Sequence, residues 1–115
     1  MLSRKHRFHG HNSLNYVYQN GQTARTTDMT LRYAPNKRRE TYRCAVVVSK
    51  KVSKSAVVRN RIRRRVYEAV RQQESRINKP LDLVFSIFQE KIAEIPASEL
   101  QNRIEHLLDQ AVGPK

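Results

Sequence analysis

Apolar residues recur along this chain at two different periods, and each change of period marks a new element. Val58, Ile62, Val66, Ala69, Val70 and Ile77 repeat at helical spacings. Set 100° apart per residue they fall within an arc of about 120°, which predicts one amphipathic helix over 57–77. A last helix is expected from Ser98, with Gln101 completing a capping box, Leu100, Ile104, Leu107, Leu108 and Ala111 as its seam and Gly113-Pro114 as its stop. A short first helix fits Asn12 or Ser13 as N-cap, Leu14, Val17 and Tyr18 along one face, and Asn20-Gly21 as its end. Period-two alternation predicts strands over 29–34 and 42–49, with Val46-Val47-Val48 pointing to burial on both faces. The charged, turn-like segment 35–40 between them makes the pair read as a hairpin. Residues 81–88 form a further strand after Asn78-Lys79-Pro80, and 23–27 offers a fourth. The expected order is α-β-β-β-α-β-α: an α/β (α+β) two-layer sandwich, with a mixed sheet of about four strands and three helices. No repeat or linker divides residues 1–115, so one domain is expected, preceded by an irregular, flexible basic arm over 1–11.

Composition narrows the class. Hydrophobic residues make up 38% of the 115, enough for a modest core. No apolar run approaches the roughly 20 residues of a membrane span, and none follows the N-terminal charges as in a secretory signal. The lone Cys44 forms no internal disulfide and no zinc ribbon, which fits a reducing, cytoplasmic setting. The net charge is +13, and it is concentrated. Residues 1–67 hold 17 Lys and Arg against two acids, whereas residues 68–115 hold six against eight. Such concentration is the footprint of a polyanion partner.

The densest cluster is Arg59-Asn60-Arg61-Ile62-Arg63-Arg64-Arg65 at the head of the amphipathic helix. With Val58 as zero, Asn60, Arg61, Arg64, Arg65 and Arg71 fall between about 200° and 340°, away from the apolar arc. Guanidinium forks match phosphate oxygens bidentately. Arg59 falls on the apolar side and is expected to turn outward from the first turn. A passive solvated face would mix signs for i,i+4 pairing; this one carries Glu68 as its acid. Upstream, Lys50 and Lys51 extend the same surface toward the helix N-terminus. His6, His9 and His11 lack the carboxylate or thiolate neighbours of a metal shell, so no metal site is assigned, and with Arg4, Lys5 and Arg7 they read as tracking an RNA backbone. Cys44 reads as inert packing. The ten carboxylates are scattered, which gives no two-metal nuclease site and no catalytic residue.

Val48-Ser49-Lys50-Lys51-Val52, then Val58-Arg59-Asn60-Arg61-Ile62-Arg63-Arg64, together with the element order, resemble the protein subunit of bacterial ribonuclease P. The likeness runs over nearly the whole chain. It implies a ribosomal protein S5 domain 2-like fold with a left-handed β-α-β crossover, which periodicity does not give. It also implies an RNA-binding cofactor of a ribonucleoprotein endonuclease (a hydrolase), which removes the 5′ leader from precursor tRNA. Catalysis is then expected from the RNA subunit and from Mg²⁺ bound mainly by that RNA. The resemblance implies that Lys50, Lys51, Arg59, Asn60, Arg61, Arg63, Arg64 and Arg65 hold the catalytic RNA. Leu14, Tyr18 and Tyr33 would line a cleft for the precursor tRNA leader. Tyr16 lies about 160° around the helix from Leu14 and is not placed in that cleft. Expected partners are ribonuclease P RNA and precursor tRNA, with no membrane and no obligate protein. The main alternative is a small ribosomal protein binding ribosomal RNA. A major-groove DNA regulator ranks third, because a strand precedes the arginine helix.

Overall fold

The computed structural model describes His6 and residues 11–113, the first three of that run by backbone alone. The elements are α1 (His11–Asn20), β1 (Gln22–Arg25), β2 (Met29–Pro35), β3 (Arg43–Val48), α2 (Ala56–Gln72), β4 (Leu81–Ile87) and α3 (Ala97–Val112), with 3₁₀ turns at Glu74–Arg76 and Glu90–Ala93. Their order is the predicted one. Apart from His6 and the backbone of His11, the arm expected over 1–11 lies outside the described residues.

The helix ends differ from the sequence reading for local reasons. α1 begins at His11, so Asn12 and Ser13 lie inside its first turn and not at the position before it. α2 is capped by Ser55, whose Oγ accepts the Val58 N–H at 3.2 Å. It stops at Gln72, where the chain tightens into the 3₁₀ turn; Ile77 is buried from beyond the helix. α3 starts one residue before Ser98, and the Pro96 carbonyl accepts the N–H groups of Glu99 and Leu100 (3.0 and 3.1 Å). Gln101 makes no capping box. Its side chain instead ties α3 to α2, accepting from Gln73 Nε2 (2.6 Å) and donating to Gln72 Oε1 (2.8 Å).

The sheet order is β1-β2-β4-β3, which corrects the expected hairpin. β2 and β3 do not pair. β4 lies between them, antiparallel to β2 (Leu31↔Phe85) and parallel to β3 (Val46↔Phe85). The reason is apolar content: β4 is buried at every position but Ser86, and a strand covered on both faces belongs in the centre. The tight hairpin is β1–β2. At the outer edge of β3, the Val46 N–H is occupied by the Tyr67 hydroxyl (3.3 Å).

The two faces of the sheet are unequal. α2 and α3 cover one face and enclose the main core, which includes Met29, Leu31, Cys44, Leu83, Phe85, Ile62, Val66, Ile104 and Leu107. α1 lies across the other face through a small cluster of Val17, Ala45 and Val84, with Leu14, Tyr18 and Val47 at its margin. Two buried carboxylates lock the ends. Asp28 accepts from Thr26 Oγ1 (2.8 Å) and Arg103 Nε (2.5 Å), tying α3 to the β1–β2 turn; Asp82 pairs bidentately with Arg43 (2.9 Å for each contact).

Candidate nucleic-acid interface

β3 ends at Val48, and residues 49–55 turn the chain into α2. The Val52 N–H donates to the Ser49 carbonyl (3.1 Å) and the Ser55 N–H to Ser53 Oγ (3.2 Å), which holds exposed Lys50 and Lys51 beside the helix start. Asn60, Arg61 and Arg64 are exposed on the outer side of α2. Arg61 faces Glu94 only at 3.7 Å, with 53% of its side chain in solvent. Arg64 has no polar partner among the described residues.

The remaining arginines of the predicted ridge are engaged by the protein itself. Arg65 is placed apart from the exposed groups: it donates to the carbonyls of Ile92 (2.7 Å) and Ile95, bracing the 3₁₀ turn packed on that flank. Its helical angle lies next to the apolar arc, so a long side chain there reaches the neighbouring loop before it reaches solvent. Arg59 does not turn outward; its Nη1 donates to the Ser53 carbonyl (2.9 Å) and stiffens the lysine loop. Arg63 donates to Asn60 Oδ1 (2.6 Å). Arg71 grips Glu68 through Nε (2.9 Å) and Nη2 (2.5 Å), and these bonds hold the Glu68 carboxyl well below the usual carboxylate range.

Beside α1 the sheet presents an open polar row. Cross-strand partners share a face, so Arg25, Thr30, Ser86 and Val47 line up across the four strands on the α1 side. The next row, Thr23, Arg32, Val84 and Ala45, runs beneath the helix. Leu14 and Tyr18 of α1 border these rows, both half-buried. Arg32 lies against Tyr18: its guanidinium carbon is 5.4 Å from the ring centroid and its Nη1 donates to the Tyr18 carbonyl (3.0 Å). Tyr33 does not join them. It lies on the opposite face, against the main core, and its hydroxyl donates to Gln22 Oε1 and the Gln110 carbonyl, both at 3.2 Å. Strand parity carried this signal. Met29, Leu31 and Tyr33 share the core side, which leaves Arg32, missed in the sequence, on the α1 side beside Tyr18.

His6 is docked, its ring stacked on Tyr42 (centroids 4.1 Å apart) with Nδ1 3.0 Å from the Tyr42 carbonyl. The side chains of His9 and His11 lie outside the described residues. Cys44 shares the inner face with Tyr42, Val46 and Val48, and burial pushes its thiol far up.

Exposed lysines and guanidiniums at one helix start, beside an open polar sheet face bordered by an aromatic helix, define a small RNA-binding α+β protein. The family model described as Ribonuclease P matches residues 2–112. The ribonuclease P protein component of Chloroflexus aurantiacus is 40% identical over 110 residues, covering 96% of this chain and 80% of that one. That of Caldanaerobacter subterraneus is 39% identical over 92 residues, covering 80% and 77%. A Staphylococcus aureus RNase P protein structure superposes with a TM-score of 0.76 at 26% identity, covering 100% of this chain and 98% of that one. The Thermotoga maritima RNase P protein superposes at 0.72 with 19% identity, covering 87% and 88%, a likeness of fold. The chain belongs to the ribonuclease P protein family. It is an RNA-binding protein cofactor of that tRNA-processing ribonucleoprotein and a partner of its RNA, a finding that sets the ribosomal alternative behind.

Proposed function

We propose that the head of α2 holds ribonuclease P RNA while the cleft beside α1 takes the 5′ leader of precursor tRNA. The carrying observation is the exposure of Asn60, Arg61 and Arg64 together with Lys50 and Lys51 at one end of the sheet. These groups contact phosphates; Arg63 contributes from a half-buried position, and Arg59 and Arg65 hold the loop and the 3₁₀ turn in place. Leu14 and Tyr18 border the leader, and Arg32 adds charge where Tyr33 was expected. The chain works as a single domain in the cytoplasm. Hydrolysis of the phosphodiester belongs to the RNA and its Mg²⁺. The two buried carboxylates, Asp28 and Asp82, are held by Arg103 and Arg43 and serve the fold. The chain's contribution is positional and electrostatic: neutralising phosphates on both RNAs strengthens substrate binding and lowers the Mg²⁺ requirement.

Reconstitution tests the reading. At low Mg²⁺, ribonuclease P RNA with this protein should release an intact 5′ leader from precursor tRNA, and the protein alone should cleave nothing. Cleavage by RNA-free protein would remove the cofactor assignment.

A further inference from the structure

A second basic surface occupies the far end of the sheet from the α2 start. β2 leaves the sheet at Pro35 and β3 enters at Arg43; the connection carries Lys37, Arg38 and Arg39, all exposed and without side-chain partners among the described residues. Asn36 shapes this loop. Its Oδ1 accepts the Arg38 N–H (3.1 Å), its backbone N–H donates to the Pro80 carbonyl (2.7 Å), and its Nδ2 donates to Asp82 (3.1 Å). Among the described residues Asp82 is the one carboxylate of the lining, where Arg43 neutralises it, and the exposed Glu40 of the same connection lies outside that lining. The opposite wall is Tyr16 of α1, 55% exposed. Together these residues border an open groove of about 900 Å³.

Among the described residues Tyr16 packs into neither apolar cluster. The core contacts of α1 come from Leu14, Val17 and Tyr18. The groove is also separate from the α2 surface: Arg43↔Asp82 lies five residues along the sheet from Val48↔Ile87, about 16 Å at strand spacing. A ring more than half exposed, flanked by cations that have no side-chain partner among the described residues, suits one ligand class in particular. A duplex offers phosphates but no bare base face, whereas a single strand offers both.

We propose that this groove takes a single-stranded RNA segment, with a base stacked on Tyr16 and its flanking phosphates on Arg38 and Arg39. The proposal rests on the RNA-binding reading above and extends it to a surface outside the cleft. The probe is a labelled 12-nucleotide oligouridylate, titrated against the full chain by anisotropy at several salt concentrations. Tyr16→Ala should weaken binding at least fivefold while Tyr16→Phe stays within twofold of wild type. An Arg38→Ala, Arg39→Ala double variant should flatten the salt slope by about 1.4. A duplex RNA of the same length should respond to the arginine pair and ignore Tyr16. Wild-type oligouridylate affinity in a Tyr16→Ala protein with an unchanged unfolding midpoint would overturn the proposal. Should that variant unfold, an unchanged salt slope in the loop variant overturns it equally. Reconstituted cleavage with the wild-type chain is scored separately. Its failure removes the cofactor reading and leaves the groove standing, whereas loss of the Tyr16 effect alone removes only the groove.

Discussion

Arg64 and Arg65 are neighbours in sequence with opposite surroundings. Arg65 satisfies two loop carbonyls; Arg64 stands in solvent. Arg65→Ala is therefore expected to lower stability by about 1–3 kcal/mol in urea denaturation, because it strands those acceptors. Arg64→Ala should leave stability within about 0.5 kcal/mol. It should instead make the salt dependence of ribonuclease P RNA binding shallower by about 0.7–0.9. A different residue pair controls alkaline behaviour. Burial pushes the Cys44 thiol above its ordinary 9.0, and burial followed by the bond to Glu74 pushes the Tyr42 phenol above its ordinary 10.0. Both stay protonated in the fold and ionise once the chain unfolds, so their contribution is complete below those ordinary values and drains away as pH rises past them. The unfolding midpoint should fall from pH 9 to 11, and Cys44→Ala with Tyr42→Phe should flatten that decline. At this scale the chain was partly legible. Periodicity identified Leu14, Val17 and Tyr18 as one face, but the partners of Arg65 sit some thirty positions away, where no local pattern reaches.

The elements themselves follow from local rules, and their ends from contacts. Ser55 caps α2 through its own hydroxyl, so Ser55→Ala should cost about 0.5–2 kcal/mol, read from the urea midpoint. Gly21 joins α1 to β1 where the backbones nearly touch. A Cβ there would lie 2.5 Å from the Val17 carbonyl oxygen and 2.9 Å from that of Tyr33. Neither atom can withdraw, since both belong to the main chain, and Gly21→Ala is expected to cost about 1–3 kcal/mol in the same assay. Element existence was readable because the apolar period is a property of the segment alone. The partner of each strand was not. Pro35 and the charged turn gave β2 and β3 the look of a hairpin, and only the competing apolar content of β4 explains why they lie one strand apart.

Across the whole molecule, the crowding of positive charge in residues 1–67 makes the fold responsive to anions. A ligand bound only by the native state shifts the folding equilibrium toward it. Sulfate or phosphate should therefore raise the thermal midpoint more than chloride at matched ionic strength, as calorimetry would show; equal responses would indicate screening alone. The position of β4 has a consequence in time. The ribosome makes the central strand after both of its neighbours, so while residues 1–80 emerge, β3 has no companion and the arginine-rich segment has no finished sheet to rest on. Closure waits for pairings as remote as Met29 with Ile87, an arrangement that places folding toward the slow side for a chain of this size. Until β4 is made, the nascent chain carries most of its positive charge on a sheet that lacks the strand joining β2 to β3.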